Sequence, residues 1–145
     1  MSILDELRSG CLAATEDATR QLAERLAAAL PVDCTLALSG DLGAGKTTFV
    51  KGLAATWDVV EAITSPSFAV CNLHRGRRLL AHIDAYRLDG PAGWDSLMVE
   101  DFLVSPWCLA VEWPERIESI LPKDTIWIDF TITANGARHL QLRAR

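Results

Sequence analysis

Gly40-Asp41-Leu42-Gly43-Ala44-Gly45-Lys46-Thr47-Thr48 is the stretch of sequence that decides the fold of this chain. It follows the apolar run 35–38 and precedes a segment with helical periodicity, which is the strand-to-helix context of a P-loop. Glycines let a main chain wrap a phosphate group at close range, because residues without a Cβ leave room for the curl. The stretch therefore predicts a site for a nucleoside triphosphate.

The side chains at the end of this stretch have distinct predicted roles in binding the nucleotide. Lys46 offers a positive charge to the outer phosphates, and Thr47 offers a hydroxyl to the magnesium ion that accompanies them. The helix that starts here turns its positive end toward the same anion. A glycine-rich turn without a ligand is the alternative, and the strand and helix on either side argue against it.

Length and composition limit what the rest of the chain can be. The 145 residues carry a net charge of −5, and half of them are apolar. Such a chain buries one core but not two, so we expect a single domain over residues 1–145. No apolar stretch is long enough to span a bilayer and the start lacks a signal-peptide pattern, which predicts a cytoplasmic protein without membrane association.

The acidic balance and the cysteines exclude two further classes of site. A negative protein does not attract RNA or DNA by its overall field, so we expect a partner protein to hold any nucleic acid. The four cysteines are scattered without C-x-x-C spacing, and no histidines complete a zinc site. Reduced, buried thiols are therefore expected.

Apolar periodicity predicts the elements around the P-loop. Thr15 caps a helix in which Leu22, Leu26 and Leu30 recur at four-residue spacing before Pro31. The other predicted elements are a strand at 35–39, a helix at 46–56, a loop at 63–70 entering a strand, a hairpin around the turn 74–78, a helix at 94–103, a strand at 108–112, and a hairpin of 126–130 with 140–142. The predicted fold class is α/β, a P-loop NTPase-like sheet that is mostly parallel, with antiparallel edge hairpins and flanking helices.

Two predicted strands end in an acid, at Asp84 and at Glu112. In an open α/β sheet, ligands bind beyond the carboxyl ends of the strands, so both carboxylates can face the phosphates. A carboxylate at that place reaches the magnesium ion or the attacking water in P-loop enzymes. Either acid alone is equally well a strand end meeting solvent, but two of them beside a P-loop favour function.

Three further features have both a functional and an ordinary interpretation. The hydroxyls of segment 64–67 suit a loop that senses the terminal phosphate, although ordinary turns have the same composition. Trp113 can stack on a base or pack in the core. The basic turn with Arg75, Arg77 and Arg78 is either a contact patch or a solvated hairpin tip.

The order of these motifs resembles the bacterial TsaE family, small P-loop ATPases needed to make threonylcarbamoyladenosine in tRNA. The resemblance runs from about Thr15 to Arg143, and its later motifs are more specific than the P-loop alone. Those motifs are Thr64-Ser65-Pro66-Ser67-Phe68, His82-Ile83-Asp84-Ala85-Tyr86-Arg87-Leu88 and Val111-Glu112-Trp113-Pro114-Glu115.

The resemblance implies a site for ATP and Mg²⁺. It implies that Thr47 and Glu112 bind the metal, and that Lys46, Asp84 and Glu112 are catalytic. The residues implied to wrap the phosphates are Gly43, Ala44, Gly45, Lys46, Thr47 and Thr48. Those implied to lie near the nucleotide are Glu16, Thr64, Trp113, Pro114, Glu115 and Arg138.

The resemblance also implies partners. A TsaB/TsaD-type transferase complex is the implied protein partner, and tRNA would be reached indirectly through it. Alone, the chain is expected to be a monomer. It is also expected to be a slow ATPase, because no residue of the sequence is recognisable as an arginine finger. The chain departs from the family pattern in several places: Ser67 replaces the commoner threonine, segment 90–94 has lost acidic residues usual there, and Met98 stands where a glycine is common.

Fold alone does not decide function, so two other classes stay open. A small-molecule P-loop kinase would have a lid with several arginines, and the chain has little length left to build one. A nucleotide-sensing module without turnover would need the P-loop but not the two strand-end acids. An ATPase of the tRNA modification machinery is therefore the leading hypothesis.

Overall fold

The computed structural model describes residues 2–60, 63 and 71–144. The strands described are β1 (Cys11–Ala13), β2 (Cys34–Gly40), β3 (Cys71–Arg75), β4 (Leu79–Asp84), β5 (Trp107–Glu112), β6 (Ile126–Ile132) and β7 (Arg138–Leu142). They form one sheet in the order β1-β7-β6-β2-β5-β4-β3. The four central strands β6, β2, β5 and β4 run parallel, and β3, β7 and β1 add antiparallel edges. The predicted fold class is confirmed.

Helices cover both faces of the sheet. They are α1 (Ile3–Ser9), α2 (Glu16–Ala29), α3 (Lys46–Thr56) and α4 (Gly90–Leu97), with short 3-10 helices at Ala85–Arg87, Val99–Asp101 and Pro114–Ile120. One apolar cluster joins α2 and α3 to the face that carries Leu36 and Leu38, and a second joins α4 to the face that carries Ala37. Strand residues alternate between faces, so neighbours in sequence enter different clusters. No helix in the described ranges combines the length and apolar character that a membrane crossing requires.

Most of the predicted elements are present. Thr15 caps α2 and accepts a hydrogen bond from the Ala18 N–H at 3.0 Å. α3 has the predicted bounds, and both predicted hairpins form, the second around a turn where the Gly136 N–H donates to the Thr133 carbonyl at 3.0 Å. The two short elements α1 and β1 are additions to the prediction. β1 has three residues and exists because it pairs with β7.

The predicted helix at 94–103 is wrong in its bounds. α4 begins at Gly90, because Pro91 suits the first turn of a helix, where no backbone N–H is required. It ends at Leu97, since Met98 adopts the left-handed conformation with φ 53°. This backbone conformation favours glycine, and here a methionine adopts it.

The basic turn between β3 and β4 is not a uniform solvated tip. Arg78 is buried and donates to the carbonyls of Pro31 and Trp107, whereas Arg77 is exposed and pairs with Asp58 at 2.7 Å. A contact patch that includes Arg78 is therefore excluded. The segment from Thr64 to Val70, including the predicted phosphate-sensing hydroxyls, lies outside the described residues.

Candidate nucleotide site

The P-loop lies where β2 ends and α3 begins. β2 ends at Gly40 and α3 begins at Lys46, so five residues turn the chain. Gly43 and Gly45 hold φ values of 82° and 101°, which side chains with a Cβ rarely adopt. The first turn of a helix has backbone N–H groups that no residue of the helix accepts, and here that turn opens toward the P-loop. The backbone is that of an anion-binding turn.

A cleft of about 520 Å³ lies over the P-loop. Predicted site residues in its wall are Glu16, Gly43, Gly45, Lys46, Thr47, Thr48, Glu112, Trp113 and Arg138. The remaining wall residues are Ala13, Ala14, Thr15, Thr19, Leu42 and Gly136. Elements far apart in the sequence therefore meet at one cleft.

Four further predicted site residues within the described part of the chain do not line this cleft, namely Ala44, Asp84, Pro114 and Glu115. Ala44 belongs to the P-loop but its side chain is buried, and Glu115 accepts a hydrogen bond from the Ser39 hydroxyl. Asp84 pairs directly with Glu112 across β4 and β5, and its Oδ1 accepts a bond from the Tyr86 N–H at 3.0 Å. Pro114 is buried next to the cleft, and Thr64 lies outside the described residues.

A group of three side chains, of which Glu112 and His82 are buried and Thr47 is half-buried, connects the P-loop to the carboxyl end of β5. The Thr47 hydroxyl lies 3.3 Å from Oε2 of Glu112, and Nε2 of His82 lies 2.5 Å from the same oxygen. His82 was not among the predicted site residues, although it belongs to one of the quoted motifs. The pairing of β4 with β5 brings His82 to Glu112, and the sequence alone does not show this pairing.

Lys46 is a buried cation beside this group. Its Nζ donates to the carbonyl of Gly40 at 2.5 Å and lies 4.0 Å from the centre of the Trp113 ring. Burial lowers the pKa of Lys46, although the nearby carboxylates, led by Glu112, act in the opposite direction. A cation on an aromatic face in a partly desolvated place is favourable, and an anionic phosphate adds to that attraction.

The pKa of Glu112 lies below its usual value of 4.5. Burial acts to raise this pKa, but the hydrogen bond and charge of His82, with help from Lys46 and Thr47, outweigh it. The carboxylate is therefore held in its ionised form near neutral pH. A buried carboxylate next to a threonine hydroxyl is an oxygen-rich place for a divalent cation.

Trp113 follows Glu112 in a left-handed backbone conformation with φ 57°, which is unusual for a bulky residue. This conformation turns the chain at the end of β5 and brings the ring to Lys46. The ring also contacts Tyr86 at 5.2 Å between centroids, and Arg116 lies 5.3 Å from the Tyr86 ring. A role in stacking on a base stays a prediction.

Arg138 stands at the start of β7 and connects the last hairpin to the P-loop. Its Nε donates to the Gly43 carbonyl at 3.1 Å, and its Nη1 donates to the Gly136 carbonyl at 2.6 Å. β1 pairs Ala13 with Arg138, which brings the start of α2 and Glu16 to the same cleft. The three-residue strand β1 thus accounts for wall residues that the sequence did not predict.

The donor set fits magnesium bound with a nucleotide. Mg²⁺ prefers oxygen ligands and is usually held by one or two protein groups together with phosphate oxygens and water. Thr47 and Glu112 supply such oxygens beside the glycine-rich turn of the P-loop. Within the described ranges, no group of three or more His, Cys, Asp or Glu side chains could hold a metal ion alone.

Comparison with known proteins gives a consistent result. The model of the family "Threonylcarbamoyl adenosine biosynthesis protein TsaE" matches residues 13–140. The range includes the P-loop, both strand-end acids and Arg138. Of β1 the range includes only the last residue, Ala13, which lines the cleft.

Several relatives carry the description "tRNA threonylcarbamoyladenosine biosynthesis protein TsaE". The relative from Streptomyces coelicolor is 38% identical over 83% of this chain and 86% of its own length. The relative from Bacillus subtilis is 32% identical over 86% of this chain and 84% of its own. The crystal structure of YdiB from Bacillus subtilis matches with a TM-score of 0.75 and 30% identity, over 92% of this chain and 82% of that one.

Proposed function

This chain belongs to the TsaE family of tRNA threonylcarbamoyladenosine biosynthesis, and from that premise we propose that it is a magnesium-dependent P-loop ATPase of this machinery. The observation that carries the proposal is the meeting of Lys46, Thr47 and Glu112 at one cleft above a phosphate-binding turn. We further propose that residues 1–145 act as one domain in the cytoplasm.

The proposed catalysis is electrostatic. Lys46 is buried, and its ammonium group is held by the Gly40 carbonyl. From there it would neutralise charge on the outer phosphates. Thr47 and Glu112 would hold Mg²⁺, which supplies further positive charge to the phosphate oxygens when bound. Glu112 stays ionised near neutral pH and can also accept a hydrogen bond from the attacking water. Asp84, next to Glu112 in the sheet, would orient water rather than bind the metal.

The hydrogen bonds of Arg138 support the proposal that the isolated chain hydrolyses ATP slowly. Arg138 is the arginine that lines the cleft, and it donates to the carbonyls of Gly43 and Gly136. An arginine held by the P-loop backbone braces that turn instead of reaching the terminal phosphate as a finger does. We propose that a TsaB/TsaD-type transferase complex stimulates hydrolysis, that tRNA is reached only through this complex, and that the chain alone is a monomer.

The experiment that tests the proposal measures ATP hydrolysis by the purified chain with Mg²⁺, alone and then with the transferase partners and tRNA. Slow turnover alone and strong stimulation by the partners are expected. Unchanged hydrolysis, with phosphate transferred to an added metabolite instead, would move the assignment to a small-molecule kinase. Nucleotide binding without turnover under every condition would favour a sensing module.

A variant of Glu112 separates binding from turnover. Glu112→Gln keeps the shape of the side chain and removes its charge, so we expect stimulated turnover to fall by about 100-fold. Affinity for ATP measured without magnesium should change much less, because Lys46 and the P-loop backbone remain. The matched control is Glu24→Gln, an exposed glutamate on α2, which should hydrolyse ATP like the parent. Equal loss in both variants would contradict the assignment.

A further inference from the structure

His82 lies under the P-loop because of the register between β4 and β5. Those strands are parallel, and His82 is paired with Ala110, two residues before Glu112. Side chains two residues apart point to the same face of a sheet, so His82 and Glu112 are diagonal neighbours. The imidazole is fully buried, at 0% exposure, and it is paired with Ala110, a member of the apolar cluster that includes α3.

The hydrogen bonding of His82 is one-sided. A carboxylate only accepts, so Nε2 of His82 carries the hydrogen and donates to Oε2 of Glu112. The other ring nitrogen, Nδ1, is buried and finds no partner in residues 2–60, 63 and 71–144. Burying a polar atom without a partner is unfavourable, and an apolar side chain at this position would avoid it. The bond from Nε2 is therefore what the imidazole contributes here.

That bond fixes a carboxylate that would otherwise rotate. The last torsion of a glutamate is broad, so a single contact does not hold the plane of its two oxygens. Oε2 of Glu112 is held from two sides, by Nε2 of His82 at 2.5 Å and by the Thr47 hydroxyl at 3.3 Å. Because the Thr47 hydroxyl donates to this same oxygen, an ordered carboxylate also sets the direction of the Thr47 hydroxyl.

We propose that His82 is a positioning residue, which fixes the Glu112 carboxylate and through it the Thr47 hydroxyl, so that both offer oxygen ligands to the magnesium ion of a bound nucleotide. The proposal rests on the proposed function and adds to it a residue that touches neither nucleotide nor metal. Partners of this kind behind metal ligands orient them and tune their affinity.

The test measures binding rather than activity. Isothermal titration of a non-hydrolysable ATP analogue, with Mg²⁺ and with EDTA, gives the factor by which magnesium tightens binding. For His82→Leu, which fills the space without a donor, we expect this factor to fall about tenfold or more, as for other residues behind metal ligands. Metal-free affinity should stay within about twofold, because the P-loop backbone and Lys46 are unchanged.

A conservative variant provides the rescue. The amide nitrogen of His82→Gln can donate to Glu112 from nearly the same place as Nε2, so the magnesium factor should recover in large part. In His82→Asn the amide is too short to reach, and this variant should behave like His82→Leu. A purely structural histidine would change metal-free binding and thermal stability together, without a difference between Gln and Asn in the magnesium factor.

The outcomes separate this inference from the proposed function. An unchanged magnesium factor in His82→Leu overturns the role of His82 and leaves the ATPase proposal intact. A parent chain that binds the analogue equally with Mg²⁺ and with EDTA overturns the metal site itself, and with it both proposals.

Discussion

Lys46 illustrates how one residue combines several interactions. It is 4% exposed, yet its ammonium group contacts a carbonyl and an aromatic face, with carboxylates further away. Burial of a cation is costly unless other groups compensate, and these contacts compensate only in part, as the lowered pKa indicates. An anion bound at the P-loop would complete the compensation. The charged lysine is therefore more stable with a phosphate bound than in the empty site.

Removal of Lys46 should therefore weaken nucleotide binding more than it weakens the fold. For Lys46→Ala we expect a loss of ATP affinity of at least tenfold, or about 1.4 kcal/mol. Titration with a fluorescent ATP analogue measures this loss. Lys51→Ala, on the exposed side of the same helix, is the control and should bind like the parent. Equal affinity in the parent and in Lys46→Ala would remove the lysine from the site.

The lowered pKa of Glu112 predicts how stability depends on pH. A carboxyl group whose pKa is lower in the folded state stabilises the fold fully above its unfolded value, here 4.5. That contribution is lost as the pH falls through the folded pKa. We expect the free energy of unfolding of the parent, relative to Glu112→Gln, to decrease as the pH is lowered below 4.5. Urea unfolding at several pH values measures it, and a constant difference would contradict the shift.

At the scale of elements, the crossing of α2 and α3 depends on Gly52. A Cβ at Gly52 would lie 2.6 Å from the Arg20 carbonyl oxygen and 2.6 Å from the Ala23 Cβ. Neither atom is the end of a flexible side chain, so the two helices would have to separate. The packing of α2 on α3 also places Glu16 and Thr19 at the cleft, so this contact bears on the site.

Two glycine-to-alanine variants test the crossing. Alanine favours a helix over glycine by about 1 kcal/mol, and overpacking costs about 1 to 3 kcal/mol. For Gly52→Ala the second effect should be larger, and the protein should lose about 1 kcal/mol or more of stability in urea unfolding. In Gly93→Ala, on α4, the nearest neighbour is the Leu88 Cβ at 3.4 Å, so this variant should be neutral or more stable. A stabilised Gly52→Ala would mean that the helices can move apart cheaply.

At the scale of the whole molecule, Arg78 joins elements at the end of the sheet that lies opposite the P-loop, where β2 and β5 begin. Its guanidinium donates to the carbonyls of Pro31 and Trp107, contacts the Cys34 sulfur at 3.3 Å, and lies 4.9 Å from the Trp57 ring. These residues belong to the chain before β2, to β5, to β2 and to the end of α3. One buried cation thus ties together the elements whose other ends form the site.

Arg78 should matter more for stability than its exposed neighbour Arg77. Arg78→Ala leaves buried carbonyls without donors and opens a cavity, and we expect a loss of about 3 kcal/mol. Arg77→Ala removes a surface pair with Asp58, worth about 1 kcal/mol at most. Urea unfolding of both variants gives the comparison. A loss in Arg78→Ala no larger than that in Arg77→Ala would show that the interior adjusts without the guanidinium.

Local chemistry explains which elements could be predicted. Thr15 caps α2 by its own hydroxyl, the glycines of the P-loop permit its turn, and Pro31 follows the last turn of α2. Each of these effects acts within a few residues. The end of α4 was predicted wrongly because no glycine marks the left-handed residue that ends the helix, which is Met98.

The sequence by itself determined the glycine-rich turn of the P-loop, the helix that follows it and the two strands that end in Asp84 and Glu112, because glycine geometry, capping and apolar periodicity are short-range. Only the tertiary structure decided that His82 supports Glu112, that Arg138 braces the P-loop and that Arg78 is buried. These contacts join residues 30 or more positions apart. They depend on the order and register of strands, which the packing of the whole sheet fixes and no local pattern contains.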